Sequence, residues 1–156
     1  TCNKCFLSKS CISFNKKLTN RIPLIKTIPS YEKSLRYTYA YVIINKNKNV
    51  FLRKRSSTGM LPSTMEVPTS EWLKRPLNEI EIKKYSPMKL YYHRVGKPII
   101  YSFTHFKLKI SILVGFSNRR KLKNGNWHSL KRINSLGLST VMKKIINFSL
   151  KYKLLN

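Results

Sequence analysis

The sequence predicts an α+β domain in which a mixed, mostly antiparallel sheet is flanked by helices. From Tyr37 onward, short segments rich in β-branched and aromatic residues recur between turn residues, which is typical of strands. Between Leu138 and Leu150, apolar residues follow helical spacing, which is typical of a helix packed on such a sheet. The length of 156 residues fits a single domain with short additional segments.

Two segments without a strand pattern precede this domain. Residues 1–14 contain all three cysteines of the chain. Residues 15–36 are polar and basic and are interrupted by Pro23 and Pro29, which is typical of an extended connector. We therefore expect the folded domain to span residues 37–156.

A β-hairpin is predicted at the start of the domain. Thr38–Asn45 is rich in β-branched and aromatic residues, Lys46–Asn49 is typical of a turn, and Val50–Arg53 forms the returning strand. Ser56–Pro68 is punctuated by Gly, Pro and Ser and is expected to be a loop.

The remaining elements follow in order. A short helix within Glu71–Lys84 would be interrupted by Pro76. Strands are predicted at Met88–Arg94 and at Leu108–Phe116, the second of which has one apolar face because its apolar residues alternate with others. The Ser-Thr pair that comes two residues after Gly137 can cap the last helix.

The charge of the chain indicates a polyanionic partner. There are 32 Lys and Arg residues against 5 acidic ones, a net charge of +27. Binding to nucleic acid is favoured because neutralised phosphates release counterions. A genome rich in A and T, which inflates Lys and Asn, and an anionic membrane surface are the alternatives. No apolar run is long enough to span a bilayer, so we expect a monomer in the cytoplasm, associated with the nucleoid and not with a membrane.

The scarcity of acidic residues excludes several kinds of chemistry. The chain contains no Asp, so a His oriented by Asp is excluded, and paired carboxylates for acid–base catalysis have few candidates. The five acidic residues are Glu32, Glu66, Glu71, Glu79 and Glu81.

The cysteines have a spacing that favours a metal site. Cys2, Cys5 and Cys11 form the pattern C-x2-C-x5-C, and their odd number does not fit a disulfide framework. Three neighbouring thiolates suit a metal or an iron–sulfur cluster, which needs a fourth ligand. Because the chain opens at Thr1 without an initiator Met, we expect it to be part of a longer protein with that ligand upstream. The alternative is three unrelated thiols.

Several further segments occur in a fixed order along the chain. They are Leu52–Arg55 followed by Gly59–Leu61, then Met65–Pro68 with Trp72, then Ser102–Phe106, and finally Trp127 with Gly137–Met142. Together with the cysteine spacing, they resemble the C-terminal part of MutY-type adenine DNA glycosylases, in which an iron–sulfur loop is followed by a basic connector and a Nudix-like domain. The segment Ser102–Phe106 resembles that family's T-F-S-H-F signature.

The resemblance implies a fold and a function. It implies an α+β, Nudix-like mixed sheet flanked by helices (37–156), preceded by the end of an iron–sulfur loop (1–14) and an extended connector (15–36). The function implied is recognition of 8-oxoguanine opposite adenine in double-stranded DNA, as part of a base excision repair enzyme. The partner of the domain would be the N-terminal catalytic domain, which is not in this chain, so the chain alone is expected to be inactive.

The resemblance also implies roles for individual residues. Cys2, Cys5 and Cys11 would be ligands of a 4Fe–4S cluster in the parent protein, a site that we expect to be empty or incomplete here. The Thr104 hydroxyl would accept a hydrogen bond from the N7–H of the oxidised base. Phe103 would support the loop or wedge between bases.

His105 would contact phosphate or order the same loop. The alternative for these three residues is an ordinary turn with a core Phe. Arg53, Arg55, Arg119 and Arg120 would neutralise phosphates without reading bases. The alternative for these arginines is a solvated basic face.

Two other functions compete with this interpretation. One is unspecific nucleic-acid binding by a basic domain. The other is Nudix hydrolysis, which needs a G-x5-E-x7-R-E-x2-E-E series of carboxylates to hold Mg²⁺. After Glu71 this chain continues with Trp72–Pro76, and the remaining Glu residues are too scattered to build that site. We therefore predict a Nudix-like fold without hydrolase chemistry.

Overall fold

The computed structural model describes residues 2–22, 32–120 and 124–152 of the chain. The chain divides into two compact units, Thr1–Glu32 and Lys33–Asn156. None of the helices in the described ranges combines the length and the apolarity that crossing a bilayer requires.

The first unit is a series of short helical turns. Two 3-10 turns, Cys2–Lys4 and Ser8–Ser10, precede a one-turn helix α1 (Ile12–Asn15). The two prolines of the predicted connector, Pro23 and Pro29, lie outside the described residues.

The second unit contains a six-stranded mixed sheet with order β3-β2-β1-β5-β4, and β6 pairs with β2. β1 and β5 are parallel, and the other pairs of strands are antiparallel. The predicted α+β class is thereby confirmed. The strands are β1 (Ser34–Ile44), β2 (Asn49–Lys54), β3 (Met65–Glu66), β4 (Tyr92–Ser102), β5 (Phe106–Phe116) and β6 (Asn126–Ser129). The helices are α2 (Glu79–Tyr85), a 3-10 segment (Leu130–Ser135) and α3 (Thr140–Lys151).

The centre of the sheet is the parallel pair of β1 and β5. Their register runs without interruption from Ser34 opposite Phe106 to Ile44 opposite Phe116. β1 therefore begins earlier than the predicted start at Thr38. Its first residues are exposed and show no apolar alternation, but the ladder to β5 holds them in the strand.

The two faces of the sheet are covered by different helices. On one face, apolar side chains of β1 and β5 such as Val42 and Ile112 pack in one core with Met142 and Ile146 of α3. On the other face, Tyr39, Tyr41 and Leu113 pack with Leu77 and with Ile82 of α2. The alternation of side chains along a strand assigns them to these two layers.

The strand predicted at Met88–Arg94 was placed too early in the chain. The observed edge strand, β4, runs from Tyr92 to Ser102. Met88 precedes the strand and is buried with Ile43 and Phe51. β4 was difficult to recognise because it contains Pro98 and a register shift between Val95 and Ile99. An edge strand tolerates such a proline because one side of it needs no ladder partner.

The helix boundaries follow their capping residues. The sequence predicted a short helix within Glu71–Lys84 that is interrupted at Pro76. The structure has α2 in this region, and it lies wholly after Pro76, from Glu79 to Tyr85. Asn78 and Glu81 form a capping box, each side chain accepting from the other residue's backbone N–H. Ser139 occupies the N-cap position of α3, although its hydroxyl makes no capping hydrogen bond.

Candidate nucleic-acid interface

The predicted lesion-contacting residues lie at the tight turn between β4 and β5. The backbone N–H of Phe103 donates to the carbonyl of Phe106 at 2.9 Å, which closes the turn. The side chains of Thr104 and His105 are exposed at its tip, and Phe103 is half-buried. The turn therefore presents one hydroxyl and one imidazole to an approaching ligand.

An aromatic cluster supports this tip. The ring of Phe103 stacks on that of Phe106 with centroids 4.8 Å apart. It also lies 5.0 Å from Tyr101 and 5.3 Å from Trp72. The guanidinium of Arg36 sits 4.5 Å from the centroid of Phe106. Such packing fixes the direction of the turn, because each ring has few rotatable bonds.

A lysine from the start of β1 also anchors the turn. Lys33 Nζ donates to the carbonyl of Phe103 at 2.8 Å and to Ser102 Oγ at 3.2 Å. The lysine thus ties the turn to a strand distant in sequence. This contact could not be predicted from the sequence, because Lys33 is one of many lysines in a basic chain.

The predicted phosphate-contacting residues Arg53 and Arg55 share one buried carboxylate. Arg53 Nε donates to Glu66 Oε1 at 2.7 Å, and Arg55 Nη1 donates to Glu66 Oε2. Glu66 is only 3% exposed. Arg53 also donates to the carbonyl of Thr69, and Arg55 to that of Met60. Two guanidiniums against one carboxylate leave a net positive charge that is fixed in place.

Trp72 joins the arginine pair to the hairpin tip. The guanidinium carbon of Arg55 lies 5.5 Å from the centroid of the Trp72 ring, and the same ring lies 5.3 Å from that of Phe103. A cleft of about 360 Å³ opens beside the arginines and Trp72. We call these residues together the recognition surface: Arg53, Arg55, Trp72, Phe103, Thr104 and His105.

The recognition surface combines three kinds of chemistry. Its arginines can neutralise phosphate, its hydroxyl can read a hydrogen-bonding edge, and its rings can stack on a base. Trp72 is half-buried, so part of its ring is packed and part remains accessible.

Arg119 and Arg120 do not belong to this surface. They follow the far end of β5, and a strand of eleven residues spans about 33 Å. Both arginines are exposed, and the carbonyl of Arg119 accepts from Trp127 Nε1 at 2.9 Å. The next basic residues, Lys121 and Lys123, lie outside the described residues.

Three of the four carboxylates of the second unit pair with arginines, namely those of Glu66, Glu79 and Glu81. Arg75 donates to both oxygens of Glu81, at 2.9 and 2.5 Å, and these hydrogen bonds lower the pKa of Glu81 to about 2. Glu79 Oε1 lies 3.4 Å from Arg94. Over residues 2–22, 32–120 and 124–152, no three His, Cys, Asp or Glu side chains form a group that could hold a metal ion.

The cysteines of the first unit are exposed or half-exposed. The N–H of Cys5 donates to the carbonyl of Cys2 at 3.1 Å, and Cys11 is the N-terminal neighbour of α1. Their thiols have the donor chemistry of an iron–sulfur or zinc site, but within residues 2–22 they do not come together as a group that could hold a metal ion.

Several solved structures have a fold similar to that of this chain. The C-terminal domain of mouse MUTYH, solved in complex with human PCNA, is 15% identical with a TM-score of 0.59, covering 76% of this chain and 89% of that one. The MutT protein of Methanosarcina mazei Go1 is 16% identical with a TM-score of 0.59, and the match covers 80% of this chain and 99% of that one. At such identities, the likeness shows the fold alone.

A third structure is the NUDIX domain of Shewanella oneidensis NrtR, solved with ADP ribose. It is 11% identical with a TM-score of 0.60, covering 80% of this chain and 92% of that one. No curated protein matches the sequence. The sequence profile of the NUDIX domain matches residues 39–148, most of the second unit. The chain therefore belongs to the NUDIX domain family.

Proposed function

We propose that this chain recognises 8-oxoguanine opposite adenine in double-stranded DNA, as a domain of an adenine DNA glycosylase. The observation that carries the proposal is the exposed hydroxyl of Thr104 on a turn anchored by Lys33, with Trp72 connecting this turn to the paired arginines Arg53 and Arg55. The alternative that the sequence left open, unspecific binding by a basic domain, needs no such arrangement.

The chemistry of the oxidised base fits a hydroxyl at this position. 8-Oxoguanine carries an N–H at N7, where guanine has only an acceptor. The lone pairs of Thr104 Oγ1 accept from that N–H while the hydroxyl proton is donated to a neighbouring acceptor. A site arranged in this way leaves a group unpaired when guanine is bound, and unpaired groups are the main source of such discrimination.

Charge and fold support the same proposal. The net charge of +27 favours a polyanion, and the arginines of the recognition surface would hold the backbone in register. One of the similar structures is the C-terminal domain of a protein named MUTYH. The ordered sequence segments that resemble the MutY-type family lie largely around the recognition surface, at 52–55, 65–72 and 102–106.

The remaining parts of the proposal concern the parent enzyme. Base flipping and cleavage of adenine would be performed by a catalytic domain outside this chain, while this domain holds the oxidised base. Cys2, Cys5 and Cys11 would belong to a 4Fe–4S cluster completed by a ligand from the same parent protein.

The proposal is tested by titrating the chain with three matched duplexes. They contain 8-oxoguanine opposite adenine, guanine opposite adenine, or an ordinary pair at one position. We expect the oxidised duplex to bind more than about tenfold more tightly, roughly 1.4 kcal/mol. Thr104→Ala should remove this preference, whereas Thr104→Ser should keep it.

Each other outcome points to a different function. Equal binding of all three duplexes would overturn lesion recognition and leave unspecific nucleic-acid binding. Mg²⁺-dependent hydrolysis of oxidised dGTP by the chain would favour the hydrolase chemistry of other NUDIX proteins. That assay also needs a Glu71→Gln variant, since Glu71 lines the cleft beside Trp72.

A further inference from the structure

A second pocket lies on the sheet face that carries α2. It has a volume of about 750 Å³, within the range of sites for small organic ligands. It lies between α2, the following loop and β4, and it shares no lining residue with the cleft of the recognition surface. Its function is therefore separable from DNA recognition.

The floor of this pocket is aromatic and apolar. Tyr41 is fully buried and donates from its hydroxyl to the carbonyl of Ile82 at 2.6 Å. The Tyr92 ring meets that of Tyr41 edge-on, with centroids 5.4 Å apart. The Tyr92 hydroxyl is 3.2 Å from the carbonyl of Met88 and 3.1 Å from Ser86 Oγ. Because these hydroxyls are already satisfied, the floor offers a ligand mainly carbon surface.

The mouth of the pocket is positively charged. Lys83, Lys89 and Arg94 line it together with a single carboxylate, that of Glu79. Arg94 Nη2 lies 3.4 Å from Glu79 Oε1, and both side chains are at least half exposed. An exposed pair at this distance contributes little to stability, so another anion can replace Glu79 at small cost.

We propose that this pocket binds a small ring-bearing carboxylate, with its ring on the half-buried Tyr92 and its carboxylate on Arg94. Three cations facing one carboxylate give the mouth a surplus of positive charge that complements such a ligand. The partner that Arg94 already faces is a carboxylate, and guanidinium binds carboxylates through two parallel hydrogen bonds.

The test uses sodium 2-naphthoate as the probe and its neutral analogue 2-acetonaphthone as the control. The chain is labelled with ¹³C at the methionine methyl groups and observed by NMR. Met88 lines this pocket, Met60 lines the other cleft, and Met142 of α3 is buried against the sheet. We expect naphthoate to shift only the Met88 signal in a saturable manner, with the neutral analogue binding about tenfold more weakly.

Two charge variants with opposite expected effects sharpen the test. Arg94→Gln should weaken naphthoate binding about tenfold, and Glu79→Gln should strengthen it because Arg94 loses its competing carboxylate. Lys144→Gln, an exposed change on α3, removes one positive charge away from the pocket and should leave the affinity unchanged.

Either of two results with naphthoate would overturn the proposal. One is an unshifted Met88 signal at saturating naphthoate. The other is an equal loss of affinity in Lys144→Gln and Arg94→Gln, which would assign the binding to the overall charge of the chain. Replacing the probe with 2-naphthyl phosphate shows whether the pocket prefers a carboxylate, since preference for the phosphate would contradict the ligand class proposed.

Discussion

The indole ring of Trp72 lies 5.3 Å from the ring of Phe103, so the arginine pair and the hairpin tip are parts of one packed surface. Either part could move without the other if this ring were absent. In the proposed function, recognition of a base by Thr104 and of the backbone by Arg53 and Arg55 would therefore depend on Trp72, which need not contact DNA itself.

We expect Trp72→Ala to reduce both stability and lesion preference. Removing a half-buried indole should cost about 2 kcal/mol of unfolding free energy, and the tip loses one of its supports. Urea denaturation measures the first effect, and the duplex titration measures the second. Trp72→Phe is the control and should keep much of the stability and of the lesion preference. A lesion preference that is unchanged in Trp72→Ala would contradict the proposed dependence of the hairpin tip on Trp72.

Glu66→Gln should destabilise the fold strongly. Glu66 is buried and neutralises Arg53 and Arg55, so its loss leaves two partly buried guanidiniums without a counter-charge. Removing one partner of a buried ion pair costs about 3 kcal/mol or more. Urea denaturation should show this loss, and Glu81→Gln, in an exposed pair with Arg75, should show a much smaller one. If the two variants lost the same unfolding free energy, the buried pairing of Glu66 with Arg53 and Arg55 would contribute no more than the exposed Glu81 pair.

Acid should weaken the fold in a window set by Glu81. Its carboxyl has a pKa near 4.5 when unfolded and about 2 when folded, because Arg75 donates to it. A lowered folded pKa stabilises the fold above pH 4.5, and that stabilisation is lost as the pH falls towards 2. Unfolding free energy measured against pH should therefore have a smaller slope in this window in Glu81→Gln. An unchanged slope would mean that the Arg75 pair does not form in solution.

Gly115→Ala should destabilise the sheet through Tyr92. A Cβ at position 115 would lie 2.9 Å from two carbons of the Tyr92 ring, closer than these atoms can approach. Forced displacement of a packed ring costs about 1–3 kcal/mol. In a Tyr92→Leu background, the same change should cost less, as a double-mutant cycle of denaturation measurements would show. If the losses of stability in Gly115→Ala and Tyr92→Leu were simply additive, the strain would not arise from contact with the Tyr92 ring.

Arg120→Gln should weaken binding to all duplexes equally. Arg120 is exposed and lies at the far end of β5 from the hairpin tip, so it can contact phosphate but not the oxidised base. Losing one phosphate contact should reduce the slope of log affinity against log salt by about 0.9. Titrations at several salt concentrations measure this slope. A change in the ratio between oxidised and normal duplexes would show that Arg120 lies nearer the lesion than proposed.

Much of the fold followed from local patterns in the sequence. The first hairpin, β5 and α3 were predicted because their side chains alternate or repeat with a clear period. β4 was misplaced because Pro98 and the bulge before Ile99 conceal its period. The parallel pairing of β1 with β5 has no local signal, since it joins segments distant in the chain.

The candidate surface was predicted only in part. Thr104 and the arginines were named from the family resemblance, yet nothing in the sequence placed Arg55 and Phe103 against the same Trp72 ring. Their proximity depends on Trp72 and on the strand order, which are tertiary features. Lys33 and Glu66 were missed as supports because single charged residues in a sequence do not reveal their partners.

The parallel ladder between β1 and β5 also determines how the domain must be assembled. The hairpins formed by β1 with β2 and by β4 with β5 join near neighbours, whereas the central ladder forms only after a long loop has closed. During synthesis, β1 is therefore complete but unpaired along one side until β5 emerges. Such an apolar strand edge is prone to associate with other chains. The large positive charge of the chain opposes this, because nascent copies repel one another.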